Sequence, residues 1–464
     1  MHFRLRRILL STAAAVTMVA GLGFAPLASA ETLKEAMAKA YETNPVLLAQ
    51  RAALRGTDEE VAQALSQWRP TVSINAVAQE PLSKLKTPSG VLLATPTRNH
   101  TWSSTITASQ TLFAGGRILA QRLLAGAQVR AGRAQLIATE QNVLLGVVSA
   151  YMDVVRDGEV VRLNETSVKL LKKQREAAQE RFKVGEITRT DVAQAEARLA
   201  QAEAGLIAAQ ATYRASQLEY ERIVGNPPEN LEKDPALPAV PPSEDEVRRL
   251  AEANAPNYIA AQENVTINEH GVNIAVGSLL PTVSVQASYT HGESGPDFGT
   301  DTALSNGTTV SGSLTVPIYQ GGVEWSNIRQ SEENLNKAKM DREQTRRTTL
   351  ETASNSWESF RASRASRESN AQQLKAQETA FEGVQQEAEV GARTTLDVLD
   401  AQRELLNSQV ALARSQRDEV VAAHNVLASI GALTAENLQL GVAVYDPVEN
   451  YDDNAGKWWG PSGF

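Results

Sequence analysis

The sequence predicts a mainly α-helical chain that also carries membrane-type β-strands and is built as a tandem duplication. Three observations lead there. A motif that turns one long helix back into another occurs twice, as Val184-Gly185-Glu186-Ile187-Thr188-Arg189-Thr190-Asp191-Val192 and as Val390-Gly391-Ala392-Arg393-Thr394-Thr395-Leu396-Asp397-Val398. Four segments of about ten residues alternate apolar side chains with Ser, Thr, Asn or Gln, the period of a strand with one greasy and one wet face. The helical tract from Arg117 to about Lys183 is roughly 67 residues, on the order of 100 Å long at 1.5 Å per residue, which no ordinary globular domain contains.

Composition narrows the function. With 54 acidic and 45 basic residues among 464, the chain lacks the excess positive potential of a general nucleic-acid binder. Arg4, Arg6 and Arg7, the mostly apolar run Ile8 to Leu27 and Ala28-Ser29-Ala30 read as a signal peptide over 1–30, so the mature chain starts at Glu31. There is no Cys for a disulfide or for acylation. Beyond the signal, no apolar run approaches the roughly 18 residues of a spanning helix, so contact with a membrane falls to strands. His100, His270, His291 and His424 lack metal-ligand spacing, and no Gly-x-Ser-x-Gly or phosphate loop occurs; no enzyme, metal or cofactor is expected.

In chain order, a first repeat covers 31–231. Leu33 to Tyr41 reads as a short helix, and Asn44-Pro45 starts a second that runs to about Trp68. Strands follow at 70–79, with Val72, Ile74, Ala76 and Ala78 on one face, and at 101–112. Phe113-Ala114-Gly115-Gly116 then leads into the long rod. The tip at 184–191 ends that rod at Gly185 and starts the return helix with Thr188 and Asp191 at capping-box spacing. Because the return helix is shorter than the rod, it is expected to stack end to end with the helix before Trp68. A Pro-rich linker, 232–243, leads to the second repeat, 244–438, with strands at 281–290 and 308–318 and a tip at 390–397. The tips are 206 residues apart (391 minus 185). A tail, 439–464, closes the chain.

The second tip differs from the first in charge. Asp400 lies three residues after Asp397 on the same helix face, where the first repeat has Gln194. Four strands cannot close a barrel of useful bore, and lipid tolerates no open sheet edge, so closure requires several chains. Three copies supply twelve strands, enough to hold an aqueous lumen.

The two Val-Gly-x-x-Thr-x-x-Asp-Val tips, the Phe-Ala-Gly-Gly and Tyr-Gln-Gly-Gly strand exits and Asp397-Val398-Leu399-Asp400-Ala401 resemble the TolC family of trimeric outer-membrane exit ducts across nearly the whole mature chain. The tail Tyr445-Asp446-Pro447 to Lys457-Trp458-Trp459-Gly460 resembles that of alphaproteobacterial members. The resemblance implies a twelve-stranded barrel in outer-membrane lipid, continued by a twelve-helix α-barrel through the periplasm. It further implies a homotrimer that meets a periplasmic adaptor (a membrane fusion protein) and an inner-membrane ABC or RND-type transporter, and that exports drugs or secreted proteins. Asp397 and Asp400 match the aspartates that ring the periplasmic entrance, which implies a cation-attracting constriction with raised carboxylate pKa values. Arg393 matches the residue that ties the tip to the neighbouring protomer, with Thr190 and Asp191 as its partners, and the family's Tyr in that network falls at Ala388. Val184, Gly185, Val390 and Gly391 match the turns where adaptor tips sit. A periplasmic coiled-coil adaptor or scaffold is the competing expectation; it would share the hairpins but not four strands with lipid-type alternation.

Overall fold

The computed structural model describes residues 30–80, 82–83, 87–90, 97–98, 100–295, 302–458 and 460. The expected signal peptide lies outside the described residues except for Ala30, as does Trp459. The first repeat runs α1 (Leu33–Thr43), α2 (Pro45–Ser66), β1 (Thr71–Gln79), the short pair β2 (Leu82–Ser83) and β3 (Thr97–Arg98), β4 (His100–Ala114), α3 (Arg117–Lys183) and α4 (Arg189–Val224). The second runs α5 (Glu244–Asn254), α6 (Pro256–Gly277), β5 (Thr282–Gly295), β6 (Ala303–Thr315), α7 (Val323–Glu389) and α8 (Thr395–Ser429); the tail adds α9 (Glu449–Asn454).

Local chemistry sets the helix ends. Both rods, α3 and α7, are 67 residues long and start after a glycine in the left-handed region, Gly116 and Gly322. Asn44 caps α2, with Pro45 in its first turn, while its side-chain amide donates to the Ile223 carbonyl at 2.9 Å. That bond brings the end of α4 to the start of α2, so the two short helices follow one another beside α3. Among the described residues no helix is long and apolar enough to cross a membrane.

The strands form one antiparallel sheet in the order β1-β4-β5-β6. Its central pair, β4 with β5, joins the two repeats. Val72 faces Ala108 and Ile74 faces Ile106; across β5 and β6, Val283 faces Leu314 and Ala287 faces Val310, so apolar side chains pair with apolar ones along the alternation. Strand limits differ from the sequence expectation most at β6, which starts at Ala303 rather than 308 and stops at Thr315 rather than 318. Pro317, which has no N–H to give a ladder, accounts for the early stop. β5 extends to Gly295 rather than 290, because its partner β4 begins as early as His100 and pairs with it.

The main core lies where the short helices meet the rods. α1 packs on α3 and α4, α5 on α7, and α9 on α2, so one face of the long-helix layer carries a second layer. Tyr151 and Tyr220 are fully buried there. The Tyr151 hydroxyl donates to the Glu31 and Glu232 carbonyls at 2.7 and 3.1 Å, which ties the first residues after the expected cleavage point to the start of the linker.

His424 of α8 is also in this core, 3% exposed, with Nδ1 2.7 Å from the Val420 carbonyl. Burial lowers its pKa below the usual 6.5. A depressed histidine pKa favours the folded state while the ring is neutral, and that contribution is lost as pH falls through 6.5 toward the folded value. The melting temperature of the wild type should therefore fall more steeply between pH 8 and 5 than that of His424→Gln. Parallel curves would mean that His424 does not titrate on unfolding.

Candidate functional site

At the far end of the rods, both tips end and restart the chain with the same chemistry. Gly185 and Gly391 take φ of 77° and 78°, which lets the rod end in a left-handed residue. Thr188 with Asp191, and Thr394 with Asp397, form complete capping boxes: each Thr accepts from the acidic residue's N–H, and each carboxylate accepts from the Thr N–H. These turns leave Val184 and Val390 projecting, 78% and 81% exposed.

The acidic pair has two different settings. Asp397 Oδ2 accepts from the Thr394 N–H at 3.0 Å and from its hydroxyl at 2.8 Å. Those bonds hold its pKa below the usual carboxylate range, so within one chain the direction is the reverse of the rise expected for a ring of like charges. Asp400 Oδ1 accepts from Arg198 Nη2 of α4 at 2.9 Å, an ion pair that crosses from the first hairpin to the second. Arg198 is a site residue that the sequence reading missed. Its signal lies in the repeat itself: offset by 206, Gln194 and Arg198 become Asp400 and Glu404, a reversal of charge between the two tips.

Arg393 and Asp191, two of the expected links between copies, each bond within their own tip. Arg393 Nε donates to Glu387 Oε2 at 2.8 Å within its own tip, with both side chains about half exposed. Asp191 is engaged in its own cap with Thr188, and Thr190 is exposed beside it. Ala388, in the last turn of α7, offers no hydroxyl to this network. Beside Arg198–Asp400, the two hairpins also meet behind the tips through a small apolar contact of Val168, Leu171 and Leu199 with Leu399, and through Gln402, whose amide donates to the Ser167 hydroxyl at 3.3 Å. Among the described residues no group of acidic and histidine side chains is placed to hold a metal ion.

An open sheet with one apolar face, carried on paired helical hairpins of this length, is the architecture of an outer-membrane channel protein with a long helical extension. The model of the Outer membrane efflux protein family matches residues 36–226 and 247–432, and the chain belongs to that family. It is an efflux duct of the outer membrane that reaches into the periplasm, and the family is one of channels rather than enzymes. The periplasmic scaffold is thereby set aside. The chain is 36% identical to Outer membrane efflux protein BepC of Brucella suis biovar 1 (strain 1330), over 97% of this chain and 96% of that one. Outer membrane protein TolC of Escherichia coli (strain K12) is 24% identical over 93% and 89%. Among solved structures, the Campylobacter jejuni CmeC outer membrane channel superposes with a TM-score of 0.78 at 16% identity, covering 91% of this chain and 89% of that one, which speaks to the fold.

Proposed function

We propose that three copies of the chain close a twelve-stranded barrel in the outer membrane and continue it as a twelve-helix α-barrel that exports drugs or proteins. The observation that carries this reading is the pair of strand edges left open in the four-stranded sheet, β1 on one side and β6 on the other. Unpaired backbone groups in lipid cost several kcal/mol each, so β6 of one copy must pair with β1 of the next. Each copy supplies four helical columns: α3, α7, α4 with α2, and α8 with α6. The second layer of α1, α5 and the tail then lies outside, because three copies of it inside would narrow the duct.

In this assembly Asp397 and Asp400 of each copy converge on the axis as a six-carboxylate entrance, and Val184, Gly185, Val390 and Gly391 meet a periplasmic adaptor that links the duct to an inner-membrane ABC or RND-type transporter. BepC and TolC, the relatives named above, carry outer-membrane names, which supports the outer-membrane location of the duct. Opening moves the second hairpin away from the first. It must break Arg198–Asp400 within a copy and the link from Arg393 to Thr190 and Asp191 of the neighbouring copy.

Planar-bilayer conductance of the mature chain, with its mass measured in detergent, tests the assembly. A trimer with small, cation-selective currents supports it, and a monomer without current removes it. Arg393→Ser and Arg198→Ala should each raise resting conductance, the double variant more than either. If both leave the wild-type current unchanged, these arginines do not hold the gate.

A further inference from the structure

The tail does not hang free after α8. It climbs the length of α2, held at successive levels. The Tyr445 N–H donates to the Tyr41 hydroxyl at 3.0 Å, and the Arg51 guanidinium lies over both rings, 4.4 and 5.2 Å from their centroids. Higher up, the Asn450 amide donates to the buried Asp58 carboxylate at 2.9 Å, and Tyr451 and Ala455 pack on Val61, Ala64, Ala125 and Val129. At the top, Arg69 donates to the carbonyls of Gly456 and Lys457 and lies 4.9 Å from the Trp458 ring centroid.

This path ends at the foot of the sheet. Arg69 precedes β1 by two residues, and the carbonyl of its neighbour Trp68 accepts from Gln110 of β4 at 3.1 Å. Trp458 is 68% exposed and Trp68 is 41% exposed. Leu112, Phe113, Ile318 and Tyr319 are exposed where β4 ends and where the chain leaves β6 for α7. Trp and Tyr with cationic neighbours, at the level where lipid-facing strands stop, are the chemistry of a membrane–water interface: the rings sit among headgroups, and Arg and Lys meet phosphates. Charge along the tail follows the same plan. Asp446, Glu449, Asp452 and Asp453 occupy the lower part, away from the sheet, and Lys457 with Trp458 the top.

We propose that the C-terminal tail is a membrane-interface anchor, with Lys457 and Trp458, beside Trp68 and Arg69, seated among the phospholipid headgroups of the leaflet on the helical side. The anchor rests on the barrel reading, since it needs the strands in lipid. It adds a cationic and indole headgroup contact to the apolar side chains at the strand ends.

The absence of cysteine makes the test clean. Gly456 takes a Cβ with no atom within 4 Å, so Gly456→Cys accepts a spin label without repacking, and Asp452→Cys labels the exposed lower tail. The labelled full-length mature protein is reconstituted in vesicles of phosphatidylethanolamine and phosphatidylglycerol, and collision rates with oxygen and with a water-soluble nickel chelate are compared. The oxygen-to-nickel ratio at 456 should be several-fold that at 452, and adding Trp458→Ser should bring it down toward the 452 value. A label at 456 as open to nickel as at 452, or closed to both colliders as in a protein contact, overturns the anchor. Conductance of the same vesicles separates the two readings: current with a water-exposed label keeps the duct and removes the anchor, whereas no current removes both.

Discussion

Asp397→Asn combined with Asp400→Asn should raise the concentration of a multivalent cation needed to half-block single-channel current by about tenfold or more, the lower end of what a cleft of one charge sign adds to local counter-ion concentration. Asparagine is the right replacement because Asp397 has two tasks. Its carboxylate closes the capping box with Thr394 as well as facing the proposed entrance, and an amide oxygen still accepts from the Thr394 N–H. Alanine would fray the start of α8 and confuse a structural effect with an electrostatic one. At Asp400 the substitution also frees Arg198, which then stands as an uncompensated cation near the entrance and pushes in the same direction. Unchanged block with an unchanged closed state would take both aspartates off the conduction path.

Gly115→Ala should destabilise the folded chain by about 2–5 kcal/mol, the left-handed penalty of a non-glycine residue plus an overpacking cost. Gly115 sits at φ 61° between β4 and α3, and a Cβ there would lie 2.3 Å from the Gly277 carbonyl oxygen at the end of α6. Backbone meets backbone at this crossing. The strand-to-helix turn of the first repeat here meets the helix-to-strand turn that ends α6 in the second, and a Cβ on Gly277 would in turn meet the Gly115 oxygen at 2.7 Å. Gly116→Ala is the internal control: its φ is 78°, but nothing lies within 4 Å of its Cβ position, so only the conformational penalty of about 1–2 kcal/mol applies. Melting temperatures of the two variants decide it, and Gly115→Ala no worse than Gly116→Ala would mean that the crossing relaxes.

These two sites also show what the sequence revealed and what it hid. The rods were legible because helix formers dominate long proline-free tracts, and each end is a local event marked by a left-handed glycine: Gly116, Gly185, Gly322, Gly391. The capping boxes were legible for the same reason, since three-residue spacing suffices to read them. Strand faces could be read from alternation, but strand ends could not. β6 begins at Ala303 because β5 is there to pair with it, a fact about residues far away in the chain. The pairing of β4 with β5 joins residues nearly two hundred positions apart and has no local signature. Arg198 was hidden among many arginines on polar helices; only the charge reversal between repeats pointed to it, and only its distance to Asp400 gave it a role. The absence of a hydroxyl at Ala388 was readable in advance, whereas the Glu387 partner of Arg393 depends on how the tip folds back.

The two open edges of the sheet have a further consequence for a cell that makes this chain. In the proposed trimer every seam belongs to two copies, so no subunit owns a complete wall and a defect is never private. A copy with a spoiled β6 edge leaves its own seam open and deprives its neighbour of closure. In a mixed population the number of sound ducts then falls as the cube of the intact fraction. One damaged copy for each good one would leave about an eighth of the ducts working, if assembly does not discriminate. A second, defective gene copy would therefore be dominant over the first, and the same arithmetic makes a short β6 peptide a candidate poison for assembly.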